Sequence, residues 1–252
     1  MQRYYSNIYW HFTGSPKDVD WSKARKPLDI LQQGSIRSAG ESTEILKLII
    51  SSSMLKGTCA ERISEKIYTN KFCCVTDIPL KDLTGHSIYY GRSAIGFRAE
   101  SIHSCFLPVM YIPSNNLPMI DSLRRKTYRE KVDQLLLEND VQLFESEKYE
   151  FRIRHILRKP ELNQPIVESK IDNGKIENSW FIDQVKITDF SVKESESYYR
   201  EREWRHIGDF SFLKSDIQAV VVEQGYVEHM KEFLINHGVS CPVLSWDFIE
   251  RS

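Results

Sequence analysis

Ala219-Val220-Val221-Val222 is a continuous apolar run. Such a run reads as a strand buried on both of its faces. Around it, "DIQAVVVEQGYVEHMKEFLINHGVSCPVLSWDFIE" reads as strand, helix and short strand. Other strand-like runs are "NIYWHF", "FCCVT", "AIGFR", "CFLPVMYIP" and "SWFIDQVKITDF". They are rich in the aromatic and β-branched residues that suit a pleated surface. Pro27 fits a first helical position ahead of Leu28, Ile30 and Leu31, with Gly34 as a C-terminal cap. Pro79 can start a second helix, and residues 117–140 carry the clearest helical pattern. The run "STEILKLIISSSMLKG" stays open between helix and strand. Residues 158–180, with Pro160, Pro165 and Asp172-Asn173-Gly174, read as loop or β-hairpin. No repeat or linker divides the chain. The expectation is one mixed α+β domain over residues 1–252.

The composition narrows the function classes. A chain of 252 residues, 41% hydrophobic and 27% charged, can bury a good core. A net charge of -1 gives no global field that would attract nucleic acid. Cys59, Cys73, Cys74, Cys105 and Cys241 form no C-x-x-C pair, which fits a reducing cytoplasm better than a disulfide framework. The histidines show no H-E-x-x-H spacing, so no metal is expected. Neither a P-loop nor a G-x-G-x-x-G run is present. No stretch approaches the ~18 apolar residues of a membrane span, and no apolar signal core opens the chain. A soluble cytoplasmic protein without membrane contact is expected.

"YYREREWRHIG", Tyr198 to Gly208, carries the chemistry. As a strand it sets Tyr199, Glu201, Glu203, Arg205 and Ile207 on one face, with the two glutamates about 7 Å apart. As a helix it would splay the glutamates and pair Glu201 with Arg205. A solvated charged run is the simpler alternative. On the early strand, Tyr9, His11 and Thr13 share one face; Trp10 and Phe12 turn the other way, to the core. With the pair Tyr89-Tyr90, these groups suit cleavage of NAD at its glycosidic bond. A carboxylate stabilises the oxocarbenium ion. A histidine and a hydroxyl hold ribose and carboxamide, a tyrosine stacks on nicotinamide, and a second glutamate serves the acceptor. Glu203 and Glu201 are therefore the candidate catalytic residues. His11, Thr13, Tyr89, Tyr90 and Arg205 are the candidates for NAD, although Arg205 reads equally as a partner of Glu201 or Glu203. In the simplest readings Thr76 and Asp77 cap the following helix, His86 caps as well, and Trp204 anchors the late strand from behind.

Taken in order, "HFTG", "FCCVTDIPLKDLTGHSIYYGRSAIGF", "PVMYIP" and "YYREREWRH" resemble the AbiGi-like abortive-infection family. Through that family the chain resembles divergent ADP-ribosyltransferases of the DarT and CmdT type. The resemblance implies two curved sheets forming an NAD cleft, with helices around them. It also implies a phage-defence toxin that modifies a macromolecule, RNA first, and is held silent by a protein antitoxin. His11 and Thr13 match the first motif, Tyr89 or Tyr90 the second, and Glu203 the third with Glu201 ahead of it. The middle motif lacks a clean Ser-Thr-Ser; "VTD" at Val75 to Asp77 stands there instead. Some AbiGi-like members are antitoxins, which keeps a non-enzymatic antitoxin or adaptor open. A ribonuclease is the other alternative. Arg200 with His206, and Arg98 with His103, loosely resemble the Arg-x4–6-His signature of HEPN nucleases, an all-helical class. Arg124, Arg125, Lys126, Arg129, Lys131, Arg152, Arg154 and Arg158 are candidate contacts to a phosphate backbone, with a solvated surface the simpler reading.

Overall fold

The structure is a computed structural model, and it describes residues 7–64, 67–117, 180–193 and 196–251. By contact, the chain divides into two units: residues 1–114 with 182–252, and residues 115–181. Apart from Leu117 and Trp180, the helix expected over 117–140 and the loop expected over 158–180 lie outside the described residues. So do the cations from Arg124 to Arg158.

In the first unit the chain runs β1 (Ile8–Phe12), α1 (Pro27–Gln32), α2 (Ala39–Ser52), β2 (Met54–Leu55), β3 (Arg62–Ser64), β4 (Ile67–Tyr68) and β5 (Phe72–Thr76). It continues through α3 (Leu83–Tyr90), β6 (Ala94–Arg98), α4 (Ala99–His103), β7 (Leu107–Pro108) and β8 (Met110–Pro113). After α5 (Trp180–Asp183) come β9 (Val185–Thr188), β10 (Glu203–Ile207), β11 (Phe210–Ser211), β12 (Ile217–Val222), α6 (Val227–Asn236), β13 (Val243–Ser245) and α7 (Trp246–Arg251). Seven strands form one sheet in the order β13-β12-β6-β1-β5-β10-β7. Its β12–β13 pair is parallel and the other pairs are antiparallel. The expected α+β class holds. The expectation of two curved sheets is corrected: among the described residues there is one large mixed sheet and three two-stranded ribbons, β11–β2, β3–β4 and β8–β9.

Helices cover both faces of this sheet, so its central strands are apolar on both sides. Tyr9, Val75, Ile95, Phe97, Val220 and Val222 point into one core, closed by Leu46 and Ile50 of α2 and Met230 and Leu234 of α6. Trp10, Phe12, Ala94, Ala219 and Val221 point into the other, with Leu83 of α3 and Trp246 and Ile249 of α7. The apolar run on β12 is thus buried on both faces, as its pattern requires. For β1 the expectation of a single core face is corrected, since Tyr9 and Trp10 are both fully buried.

The run left open between helix and strand is α2. A capping box starts it: Ser38 accepts from the Glu41 N–H at 3.3 Å, and Glu41 takes the Ser38 N–H at 3.0 Å. Ser53 ends it in the left-handed region, at φ 51. "CFLPVMYIP" is not one strand. Val109 N–H donates to the Glu203 carbonyl at 2.9 Å and Met110 N–H to the Gln184 carbonyl at 2.7 Å, so the run changes partner mid-way.

The glycine of "HFTG" has a packing role. Gly14 N–H donates to the Tyr90 carbonyl at 2.9 Å, and a Cβ on Gly14 would stand 2.6 Å from the Gly91 Cα. Gly91 itself sits at φ 81. The end of β1 and the end of α3 therefore cross backbone to backbone. Gly14→Ala is expected to destabilise the fold by about 1–3 kcal/mol through overpacking, read as a lower urea midpoint with unchanged slope. An unshifted midpoint would show that the crossing tolerates a side chain.

Candidate functional site

The segment from Tyr198 to Ile207 is not a single strand. Tyr198–Glu201 is a 3-10 turn, Arg202 sits in the left-handed region at φ 45, and β10 begins at Glu203. Four contacts hold this kink. Ser197 accepts from Tyr199 N–H at 3.3 Å, and the Thr76 hydroxyl donates to the Glu201 carbonyl. Asp77 N–H donates to the Arg202 carbonyl at 3.1 Å, and the Arg202 guanidinium pairs with the Asp77 carboxylate at 2.9 Å. Thr76 and Asp77 thus fasten this turn rather than cap a helix, which corrects the sequence expectation.

Across the kink, Glu201 and Glu203 meet the same ammonium. Lys186 Nζ, delivered by β9, lies 2.9 Å from Glu201 and 2.8 Å from Glu203. Glu61, just ahead of β3, is the third carboxylate, at 3.0 Å. Arg205 completes the cluster. Its Nε donates to Glu203 Oε1 at 2.8 Å, and its Nη2 to Glu61 Oε2 at 2.6 Å and Glu203 Oε2 at 3.2 Å. Its Nη1 donates to the carbonyls of Asp183 and Val185 at 3.1 and 3.3 Å. The Tyr90 hydroxyl donates to Glu201 Oε1. Glu203 N–H donates to the Tyr111 hydroxyl at 2.8 Å. The two cations also lie over aromatic rings, Lys186 over Tyr198 at 4.0 Å and Arg205 over Phe72 at 4.1 Å. Five of the six oxygens of Glu61, Glu201 and Glu203 therefore accept a hydrogen bond from the chain itself, and the sixth, Glu61 Oε1, is ion-paired with Lys186.

Three carboxylates meet two cations here, leaving one negative charge in excess. Burial would lift the Glu203 carboxyl, but Arg205 and then Lys186 override it and hold it down at about 2. Burial lifts Glu201 above its ordinary value, with Lys186 opposing and Glu203 adding to the rise. Burial by itself would lower Lys186; the charges of Glu201, Glu203 and Glu61 outweigh it and keep the ammonium well above its ordinary value. Of the two cleft glutamates, Glu203 is thus the firmly ionised one, and Glu201 takes a proton more readily.

Glu201 and Glu203 line a cleft of about 500 Å³ together with His86, Tyr89, Tyr90, Tyr199, Arg200 and Arg202. Lys186 and Arg205 are not on its wall and hold the glutamates from behind. His86 stacks on Tyr90 with ring centroids 4.3 Å apart, and packs on Phe12 at 4.7 Å. Burial, then the nearby Lys186, pushes its imidazole down to about 3, so it is neutral at physiological pH.

The sequence-derived site residues divide between two places. Glu201, Glu203, Tyr89 and Tyr90 come together at the cleft. His11 and Thr13 do not join them. Strand alternation turns them to the other face of β1 from Trp10 and Phe12. There His11 Nδ1 donates to the Cys74 carbonyl at 2.8 Å, and burial lowers its pKa. Thr13 donates to the Ser42 carbonyl at 2.7 Å. Arg205 is buried and paired, which corrects its reading as a phosphate ligand. Tyr90 spends its hydroxyl on Glu201, while Tyr89 is half-buried on the cleft wall. Trp204 does anchor β10 from behind, edge-on to Tyr9 at 5.3 Å.

The ribonuclease pairs are not assembled. Arg200 lines the cleft, whereas His206 bonds the Cys105 carbonyl at 3.0 Å beside Phe106 and Phe210 of the opposite core. Arg98 donates to the Ser215 carbonyl at 3.0 Å, and His103 meets the Tyr9 hydroxyl at 2.7 Å. The seven-stranded sheet is also foreign to an all-helical nuclease.

Sequence reading missed Lys186, Glu61 and His86. Lys186 was visible as a lone cation in the apolar strand "VKIT", and His86 as the residue one helical turn before Tyr90. Nothing local marks Glu61. Among the described residues no group of His, Cys, Asp and Glu could hold a metal ion, and no helix is long and apolar enough to cross a membrane.

No curated protein and no solved structure matches the chain. A family model does match, over residues 52–236, and its description reads "Putative abortive phage resistance protein AbiGi, antitoxin". The matched span contains Glu61, Lys186, Glu201, Glu203 and Arg205 and leaves out β1 with its "HFTG". Since it covers more than half of the sequence, the chain belongs to the AbiGi family of abortive phage resistance proteins.

Proposed function

We propose that the chain acts by binding, as the antitoxin of an abortive-infection module whose toxin is its protein partner. One observation carries this reading: every carboxylate oxygen of the glutamate cluster is already engaged within the chain, by a hydrogen bond or, at Glu61 Oε1, by an ion pair. Stabilising an oxocarbenium ion requires negative charge aimed at the reacting carbon. Here two cations stand directly behind that charge. Pulling a glutamate out of such a cluster costs about 3–5 kcal/mol. The word "antitoxin" in the family description favours the same reading. The test is growth of a bacterial host expressing the module's toxin, with and without this chain, beside an assay of NAD with the purified protein. Relief of growth arrest and no release of nicotinamide are expected. A chain that arrests growth alone and liberates nicotinamide would overturn the proposal.

A second reading is ADP-ribosyl transfer from NAD to RNA. It is favoured by the adjacency of β1, β5 and β10, the strands of the three motifs. It is also favoured by a cleft within the usual range of small-molecule sites, about 300–1,000 Å³. On this reading Glu203 faces the nicotinamide ribose, Glu201 serves the acceptor and Tyr89 offers its ring to nicotinamide. A melting temperature raised by millimolar NAD would favour it.

A further inference from the structure

We infer that Glu61, Glu201 and Glu203 form a cation site filled in the folded chain by its own Lys186, and that Lys186 closes the two cleft glutamates to any external cation. A primary ammonium has three N–H donors. Lys186 donates to Glu203 and Glu201 at 2.8 and 2.9 Å and is ion-paired with Glu61 at 3.0 Å, so it meets three different carboxylates. The Tyr198 ring, 4.0 Å from Nζ, adds a cation–π face. The site is therefore built for a small N–H-donating cation, with carboxylates on three sides and an aromatic floor. Its carboxylates arrive from separate segments, ahead of β3, in the 3-10 turn and on β10, and none is a sequence neighbour of the lysine. Glu201 and Glu203 also line the cleft, whereas Lys186 does not. The lysine thus neutralises from the inside carboxylates that an outside ligand would meet from the cleft. Arg205 cannot substitute for it, because its guanidinium is committed to Glu203, Glu61 and two carbonyls.

This inference shares with the antitoxin reading the internal pairing of the glutamates, but its test reads the site alone and no toxin enters it. Lys186→Ala removes the ammonium and its stem. Thermal melting of that variant is followed with added ethylammonium and, at matched ionic strength, with tetramethylammonium, which has no N–H. Ethylammonium is expected to raise the melting temperature by about 3–6 °C at ten times its dissociation constant. Tetramethylammonium should not, and wild type should ignore both. Adding Glu201→Gln and Glu203→Gln to Lys186→Ala should abolish the response. A variant unfolded without ligand is judged the same way, with cooperative melting expected to return in ethylammonium. A Lys186→Ala chain that responds no more to ethylammonium than to tetramethylammonium, or that does not regain cooperative melting, overturns the inference.

Discussion

Replacing Arg205 by alanine lowers the stability of the fold by about 3–5 kcal/mol, the range for breaking a buried ion pair by removing one partner. The size follows from what is stranded. Glu203 loses a bond at each oxygen, Glu61 loses one, and two backbone carbonyls lose their donor, all around a side chain with no exposed surface. Two buried carboxylates and the part-buried Glu61 would then share one cation. Lysine at this position should not restore the loss, because a point charge cannot reproduce the fork of donors. Urea unfolding of Arg205→Ala and Arg205→Lys beside wild type measures the effect. An arginine kept to bind a phosphate would show the opposite pattern, with free-protein stability unchanged and only ligand affinity lost. A shift below about 1 kcal/mol, the worth of an exposed pair, would mean that the cluster is not a structural post.

The two glutamates of "EREW" should respond differently to the loss of their charge. Glu203→Gln is expected to cost about 3 kcal/mol and Glu201→Gln about 1 kcal/mol or less. The Glu203 carboxyl is held at about 2 against an ordinary value of 4.5. A depressed carboxyl contributes stability that is complete above its unfolded value and fades as pH falls from about 4.5 through about 2. The gap corresponds to about 3 kcal/mol, at 1.36 kcal/mol per unit. Glu201 has the opposite sign. Its raised carboxyl contributes stability below the unfolded value, and this is lost as pH rises through the folded value. When ionised it carries the charge its surroundings favour least, and an amide there keeps the Tyr90 bond while removing that charge. Denaturation as a function of pH separates the two: Glu203→Gln should flatten the acid limb, and Glu201→Gln should remove the decline on the rising side. Equal costs for both variants, with parallel pH profiles, would show that the charge is shared evenly.

What could be read from the chain was mostly what neighbours in sequence decide. The β12 run, the helix start at Pro27 and the strands β1, β5 and β6 follow from local pattern. The α2 ambiguity also had a local answer, the Ser38-x-x-Glu41 capping box, which the apolar count alone passes over. The failures are non-local. Strand alternation, applied through Arg202, misses a kink held by Thr76 and Asp77 from more than a hundred positions away. Glu201 and Glu203 were identifiable as a chemical pair, but their partners Lys186 and Glu61 come from other segments, and no spacing rule connects them. His11 and Thr13 were on the right strand and the wrong face for Glu203, since β1 is covered on both sides and its polar positions bond into the interior.

The interlocked charges of Glu61, Lys186, Glu201, Glu203 and Arg205 bear on how such a chain can drift over generations. Changing Lys186, Glu203 or Arg205 alone strands the others, so single substitutions at these three are expected to be selected against even if no partner or ligand ever touches the cluster. Replacing the whole set by apolar residues of similar volume is often neutral or stabilising for buried ion clusters. The route between these two states runs through unstable intermediates, because residues that share partners do not add independently. The members that strand one another are therefore expected to be inherited together. Their joint retention in a lineage is no sign of catalysis, and a descendant would lose them together.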